Sequence, residues 1–399
     1  MTQDKAHRVV GTGAEAAAPV VGVVGGGQLA RMLQEAAVPL GIQLHALVEA
    51  ADGSAGQVIP HSTVGYADDE AAISELARGA DVVTVEHEHV PNSIIEMVEG
   101  ICPMYPNVGA LQYAQDKLKM RAKMDELGLP NPRWFRVTSE AEVAEALAAL
   151  GGEGVLKTPR DGYDGKGVKI ISDAAEATEW LDAAMAEAAA GTGDGALLLE
   201  EKVAYDAEVA QLVARRPSGD SVCWPLVGSV QQDGVCFEVT APAPGAPAEL
   251  VAQASEVGQR IAEALGVVGV LAVEMFVAGG RLLINELAMR PHNSGHWTIE
   301  GAQASQFENH LRAVLDLPLG RPRHRAPWVV MVNVLGSALD DPRSAYPSVM
   351  EAFPNAHIHM YGKEVRPGRK LGHVTVLGDD LDAVKAEAHG AAAMLRGES

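Results

Sequence analysis

A short apolar run, Val20–Val24, ends in Gly25-Gly26-Gly27, and residues 29–37 follow at once with helical spacing. A strand that passes into a helix through consecutive glycines commits this part of the chain to an α/β unit with a parallel sheet. The alternation continues: Gln43–Val48 reads as a strand, residues 69–77 as a helix, and residues 81–85 as a strand rich in β-branched side chains. The glycines fall as Gly25-x-Gly27-x-x-Ala30, and Glu49 ends the next strand about twenty residues on. That is the context of a dinucleotide fingerprint, with Gln28 and Arg31 near the anion and Glu49 at a ribose hydroxyl. Any anion-binding α/β unit wants a glycine-rich helix start, so a nicotinamide-dependent oxidoreductase is one reading among several.

The 399 residues carry 53 acids against 31 bases, a formal charge of −22. At about 150 residues per domain the length suits two or three domains, large enough to fold without disulfide or metal staples. A surface so acidic repels nucleic acid and anionic lipid, and neither is an expected partner. Anionic small substrates would need local clusters of bases. Cys102, Cys223 and Cys236 are scattered and read as small buried hydrophobes. No apolar run reaches signal-peptide or membrane-span length, so a cytoplasmic chain with a disordered leader over residues 1–18 is expected.

Pro103 and Pro106 punctuate a link into a helical stretch at residues 111–127. Beyond it, strands are predicted at residues 155–158, Val168–Ile171, 196–201, 208–214, 271–277 and 282–286, with helices at Glu140–Leu150, 174–190 and 250–265. From Pro327 onward, strands at residues 328–334, 357–361 and 372–377 precede a helix at 381–395. The chain reads as three segments of mixed α and β.

Four motifs carry chemistry. Gly162-Tyr163-Asp164-Gly165-Lys166-Gly167 joins two strands, so it is not a P-loop; a glycine-rich hairpin of this kind can lie over polyphosphate, with Lys157 on the strand before it. The bland alternative is a solvated surface hairpin. Glu274 interrupts an apolar strand and Glu286 ends the next, with Gly279-Gly280 between them. A three-residue loop would set Glu274 opposite Glu286, and a two-residue loop opposite Asn285. Carboxylates in such a setting need a cation, and oxygen ligands suit magnesium held through nucleotide phosphates; pairing with Arg281 or Arg290 is the alternative. Arg290-Pro291-His292-Asn293-Ser294-Gly295-His296-Trp297 is dense in hydrogen-bond donors. Lys363-Glu364-Val365-Arg366-Pro367-Gly368-Arg369-Lys370 packs four bases into eight residues, the cluster an anionic substrate requires. Glu86-His87-Glu88-His89 and His357-x-His359 have zinc-like spacing but no third ligand nearby.

Together these features resemble the ATP-grasp superfamily. The strings at residues 25–32, 162–167, 284–288, 290–297 and 366–373 resemble, in order and over residues 20–377, the 5-(carboxyamino)imidazole ribonucleotide synthetase family. The resemblance implies a fold with an N-terminal Rossmann-like (pre-ATP-grasp) domain at residues 19–114. An ATP-grasp domain at 115–318 and a small C-terminal α/β domain at 319–399 would follow. It implies ATP- and bicarbonate-dependent carboxylation of the amine of 5-aminoimidazole ribonucleotide, through carboxyphosphate, in purine biosynthesis. Its implied cofactors are ATP and Mg2+, and its implied assembly is a homodimer.

By the same resemblance Lys117 and Lys157 hold ATP phosphates beneath the hairpin from Gly162 to Gly167. Glu200, Glu201, Lys202 and Val203 form the adenine linker, and Glu208 takes the ribose. Glu274 and Glu286 ligate magnesium beside Asn285. Gly27, Gln28, Tyr163, Asp164, Lys166, Arg290, His292, Asn293 and Ser294 line the imidazole and bicarbonate pocket. Lys363, Arg369 and Lys370 take the substrate phosphate; Asp164, Arg290 and Lys363 are the implied catalytic residues. Two departures stand out: Gln231 occupies a position where relatives commonly carry histidine near a nucleotide contact, and Lys117 one where arginine is common. Another ATP-grasp ligase, such as a formate-dependent transformylase, is the alternative within the fold.

Overall fold

The computed structural model describes residues 18–160 and 167–398. The expected leader, apart from Ala18, and the hairpin residues Gly162, Tyr163, Asp164, Gly165 and Lys166 lie outside the described residues.

The first strands form a five-stranded parallel sheet in the order His61–Val64, Gln43–Val48, Val20–Val24, Val82–Val85, Met104–Tyr105. The central strands are covered on both faces, which is why they read as unbroken apolar runs. Helix Gln28–Leu40 buries Leu29, Ala30, Met32, Leu33 and Ala37 and stops at Gly41, whose φ of 63° is the left-handed conformation that favours glycine. The two outer strands carried no legible signal: His61–Val64 is mostly exposed, and Met104–Tyr105 has only two residues.

A four-stranded antiparallel sheet follows, ordered Trp134–Val137, Leu197–Glu201, Gly154–Lys157, Val168–Ile171. The remaining strands make a nine-stranded antiparallel sheet. It runs Arg281–Ala288, Gly269–Ala278, Ala207–Arg215, Val227–Gln232, Val235–Ala241, Trp328–Leu335, Lys370–Gly378, His357–Met360, with Ser221–Cys223 paired onto Ala207–Arg215. Val235–Ala241 pairs with Trp328–Leu335, so this one sheet runs on from the middle of the chain into its last segment.

The single helical stretch expected at residues 111–127 is two helices, Val108–Gln115 and Lys117–Glu126. They break at Asp116, whose carboxylate accepts the Lys119 N–H at 3.1 Å as an N-cap. His310, on helix Gln306–Val314, joins the parallel sheet to the large one. Its Nδ1 accepts the Val270 N–H at 3.2 Å, leaving Nε2 to donate to Thr84 Oγ1 at 2.8 Å. No helix of the described residues is long and apolar enough to cross a membrane.

Candidate active site

All three sheets contribute to one cleft of about 1540 Å³. Single ligand sites run to roughly 1,000 Å³, so this one has room for two sizeable ligands. The parallel sheet presents the ends of its strands, where ligands bind in such sheets.

One wall is a hairpin whose register reconciles the two alternatives left open by the sequence. Gly279 and Gly280 have φ of 54° and 74°, and Ala278 pairs with Arg281, which is a two-residue turn of primed type. That turn alone would set Glu274 opposite Asn285. A bulge between Glu274 and Met275 absorbs Asn285, and Glu274 faces Glu286 directly. Ala210 pairs with Glu274, so Glu208, two residues before it, lies on the same face. Burial, then the charges of Glu286 and Glu208, push the Glu274 carboxyl up to about 8. The hydrogen bond from Arg290 Nε goes to Glu88 rather than to either acid. Facing carboxylates with an amide beside them are an oxygen donor set that fits a hard divalent cation. Among the described residues no three His, Cys, Asp or Glu side chains converge as an all-protein metal site. Two carboxylates suit magnesium, which completes its shell from phosphates and water.

Cations stand across from these acids. Lys117 Nζ is 3.5 Å from Glu286, and Lys157 Nζ donates to Asn285 Oδ1 at 3.5 Å and pairs with Glu200. The Glu200 side chain is buried between Lys157 and Arg121. Burial would raise its carboxyl, but Arg121 and then Lys157 hold it below the ordinary range. Of the expected adenine linker, therefore, Glu200 spends its side chain on cations. Glu201 binds Arg133 and Lys202 binds Glu153, and both residues line the cleft together with Val203. Val155, Val168, Ile170 and Phe276 add apolar walls, with Tyr205 stacked on Phe276 at 4.7 Å. Gln231 lines this part of the cleft and donates to Ser229 Oγ at 3.1 Å. Gly167, whose carbonyl accepts the Thr158 N–H, closes the described base of the hairpin.

The second lobe is built from the other termini. Lys363 Nζ donates to Gln28 Oε1 at 2.5 Å, and Gly27, Arg290, His292, Asn293, Arg369 and Lys370 line the same space. Burial, reinforced by Arg290 and Lys370, pushes His292 down to about 3, so the ring is neutral. Ser294 departs from the expected pocket wall. It is fully buried, and its Oγ lies 2.9 Å from His292 Nδ1, behind the ring. The loop is held by Gln306, whose Oε1 accepts the His292 N–H and whose Nε2 donates to the His292 carbonyl, both at 2.8 Å.

The glycine fingerprint does not make a dinucleotide site. Glu86 occupies the start of the helix, accepting the Leu29 N–H at 3.2 Å, and Glu49 accepts the Gly26 N–H at 3.1 Å. A Cβ at Gly27 would lie 2.2 Å from Glu86 Oε1. The glycines are needed because the protein's own carboxylates fill the place of a pyrophosphate. The acid–histidine run is likewise structural in part. Glu88 accepts from Arg290 Nε at 2.9 Å and from the Met289 N–H at 3.1 Å. His359 pairs with Glu300 at 2.6 Å. Arg121 and Glu88 were not legible as site residues, because each acts on a neighbour far away in sequence, and Gln306 was not, because it acts on the loop backbone from helix Gln306–Val314.

Comparison with known proteins gives matches along the chain. A ribonucleotide synthetase preATP-grasp domain matches residues 19–115, an ATP-grasp domain residues 122–307, and a phosphoribosylaminoimidazole carboxylase C-terminal domain residues 329–387. The N5-carboxyaminoimidazole ribonucleotide synthase of Mycobacterium tuberculosis is 46% identical over 91% of this chain and 85% of its own. The crystal structure of the Thermus thermophilus synthetase superposes with a TM-score of 0.83 at 40% identity, covering 95% of this chain and 99% of that one. The Aspergillus clavatus enzyme, solved with ADP and 5-aminoimidazole ribonucleotide, gives 0.84 at 31% identity, over 95% and 98%.

Proposed function

The chain belongs to the N5-carboxyaminoimidazole ribonucleotide synthase family of ATP-grasp ligases, and on that premise we propose how its cleft carboxylates 5-aminoimidazole ribonucleotide at the expense of ATP in purine biosynthesis. Bicarbonate supplies the carboxyl group. Its oxygen attacks the γ-phosphorus and ADP leaves, giving carboxyphosphate. Carboxyphosphate then gives its carboxyl carbon to the exocyclic amine, directly or as carbon dioxide; phosphate departs and the amine loses a proton.

Lys117 and Lys157 would clamp the phosphates, and Glu274 and Glu286, with Asn285 beside them, would hold magnesium. When bound, that ion neutralises charge across the transferring phosphoryl group. Val203 and the backbone of Glu201 and Lys202 would meet the adenine, Glu208 the ribose, and Gln231 would stand at the position of the usual histidine. Arg290, held by Glu88, and neutral His292 would orient bicarbonate and the imidazole. Lys363, Arg369 and Lys370 would grip the ribonucleotide phosphate, and Gly27 and Gln28 would border it. Tyr163, Asp164, Lys166 and the rest of the glycine hairpin keep the roles the resemblance implies. Such a site works by positioning and by excluding water from a labile mixed anhydride. The reading includes a cytoplasmic enzyme acting as a homodimer, which sedimentation would test.

The observation that carries this reading is a single cleft with two anion-binding ends, one cationic and facing paired carboxylates, the other a basic lobe on the last domain. The test is phosphate release from ATP with magnesium and bicarbonate, with and without 5-aminoimidazole ribonucleotide, and with formate in place of bicarbonate. Release that requires the ribonucleotide and yields a carboxylated product supports the proposal. Release only with formate or with another acceptor would keep the fold and reject the chemistry.

A further inference from the structure

Arg121 is the only lysine or arginine among the described residues that is fully buried, at 0% exposure. Its guanidinium has a partner in every direction. Nε and Nη2 bind Glu200 Oε2 at 2.9 and 2.8 Å. Nη1 donates to the Ile284 carbonyl at 2.6 Å and to Asn131 Oδ1 at 3.0 Å, and Nη2 to the Asn285 carbonyl at 3.0 Å. Asn131 returns a bond from Nδ2 to the Arg121 carbonyl at 2.9 Å, fixing the arginine's own backbone.

These contacts close a ring. Glu200 gives its other oxygen to Lys157, and Lys157 reaches Asn285 Oδ1, whose backbone Arg121 already holds. The ring spans helix Lys117–Glu126, strand Leu197–Glu201 of the four-stranded sheet and strand Arg281–Ala288 of the nine-stranded sheet. Lys117 and Arg121 lie four residues apart, one helical turn, so one face of the helix presents both cations to the Asn285-Glu286 bulge. Stability alone is a poor reason for such a ring. A buried ion network gains little over well-packed apolar side chains.

We propose that Arg121 is a positioning residue for the nucleotide: through Glu200 and the Asn285 backbone it sets Lys157 and the Asn285-Glu286 bulge at the separation that receives the phosphates. This rests on the ATP-dependent reading of the cleft above. Arginine is required because the site uses its planar fork to meet a carboxylate and two carbonyls at once. A lysine at this position keeps the charge but offers a single point of contact.

The test uses the whole chain and calorimetric binding of Mg-ADP, with the Michaelis constants for ATP and 5-aminoimidazole ribonucleotide measured alongside. Arg121→Lys, even if it melts below the parent, should bind Mg-ADP at least tenfold more weakly at a temperature where it is folded and leave the Michaelis constant for the ribonucleotide within twofold. Lys157→Met should weaken Mg-ADP in the parent but add little in the Arg121→Lys background, because the arginine acts through that lysine. ADP affinity within twofold of the parent, equal losses for both ligands, or two substitutions that simply multiply would overturn the proposal. If Arg121→Lys does not fold, Glu200→Gln breaks the same link and should show the same selective loss; failure of both to fold would mean a purely structural role and refute it. Binding is read without the second substrate. A parent that holds Mg-ADP yet carboxylates nothing would therefore sink the assigned reaction and leave this test intact.

Discussion

Exchanging His310 for glutamine tests whether burial alone keeps the joint between the parallel sheet and the large sheet neutral. Nδ1 accepts the Val270 N–H and Nε2 donates to Thr84 Oγ1, so the ring is used as one tautomer. A proton on Nδ1 would break the first bond and bury a charge. Burial pushes this histidine down to about 3 from the ordinary value of 6.5. The unfolded chain therefore binds a proton below pH 6.5 that the folded chain refuses, and stability falls with falling pH. The slope is about 1.36 kcal/mol per pH unit for this one group, so about 2 kcal/mol is lost between pH 6.5 and 5.0. Glutamine can make the same two bonds through Oε1 and Nε2 without titrating. Urea denaturation of parent and His310→Gln at pH 7.5 and 5.0 isolates the effect, because the other titrating groups are common to both. The parent should lose about 2 kcal/mol relative to the variant on acidification. A parent–variant difference that does not change with pH would refute the argument, since the ring would then carry its proton in the folded state as easily as in water.

Lys363→Ala should raise the Michaelis constant for the ribonucleotide at least tenfold and leave that for ATP nearly unchanged; equal losses would contradict the two-lobed cleft. Glu274→Gln should raise the magnesium concentration needed for half-maximal ATP turnover by an order of magnitude, read from a metal titration. Gly27→Ala forces a methyl into the Glu86 carboxylate and should destabilise the chain by about 1–3 kcal/mol in denaturant melts; a neutral result would mean that Glu86 moves aside freely. Glu238, held down to about 2 by His389 and Lys385 against the upward pull of its burial, ties strand Val235–Ala241 to helix Leu381–Arg396. Its contribution is complete above pH 4.5 and is lost as the pH falls toward 2, so the stability cost of Glu238→Gln should shrink on acidification through that window.

What the chain discloses by itself is local. Val20–Val24 and Gln43–Val48 are legible because apolar runs report burial within a few residues, and Val168–Ile171 because its β-branched side chains favour an extended backbone, although Val168 and Ile170 are exposed. The acid pair, the donor-rich loop and the basic loop are legible because each puts polar groups where its neighbours would favour other ones. Val227–Gln232, which brings Gln231 to the cleft, gave no periodic signal and was missed. Tertiary structure decided whatever depends on partners far apart in sequence. The bulge that returns Glu286 to Glu274 depends on pairing across the hairpin as a whole rather than on loop length. Glu49 and Glu86 turn a dinucleotide fingerprint into a self-capped helix, since an anion site is the same to backbone N–H groups whether a ligand or a side chain fills it. Arg121, one base among several in a short helix, acquires its place only where two sheets close over it, because burial is what makes a charge demand every one of its partners.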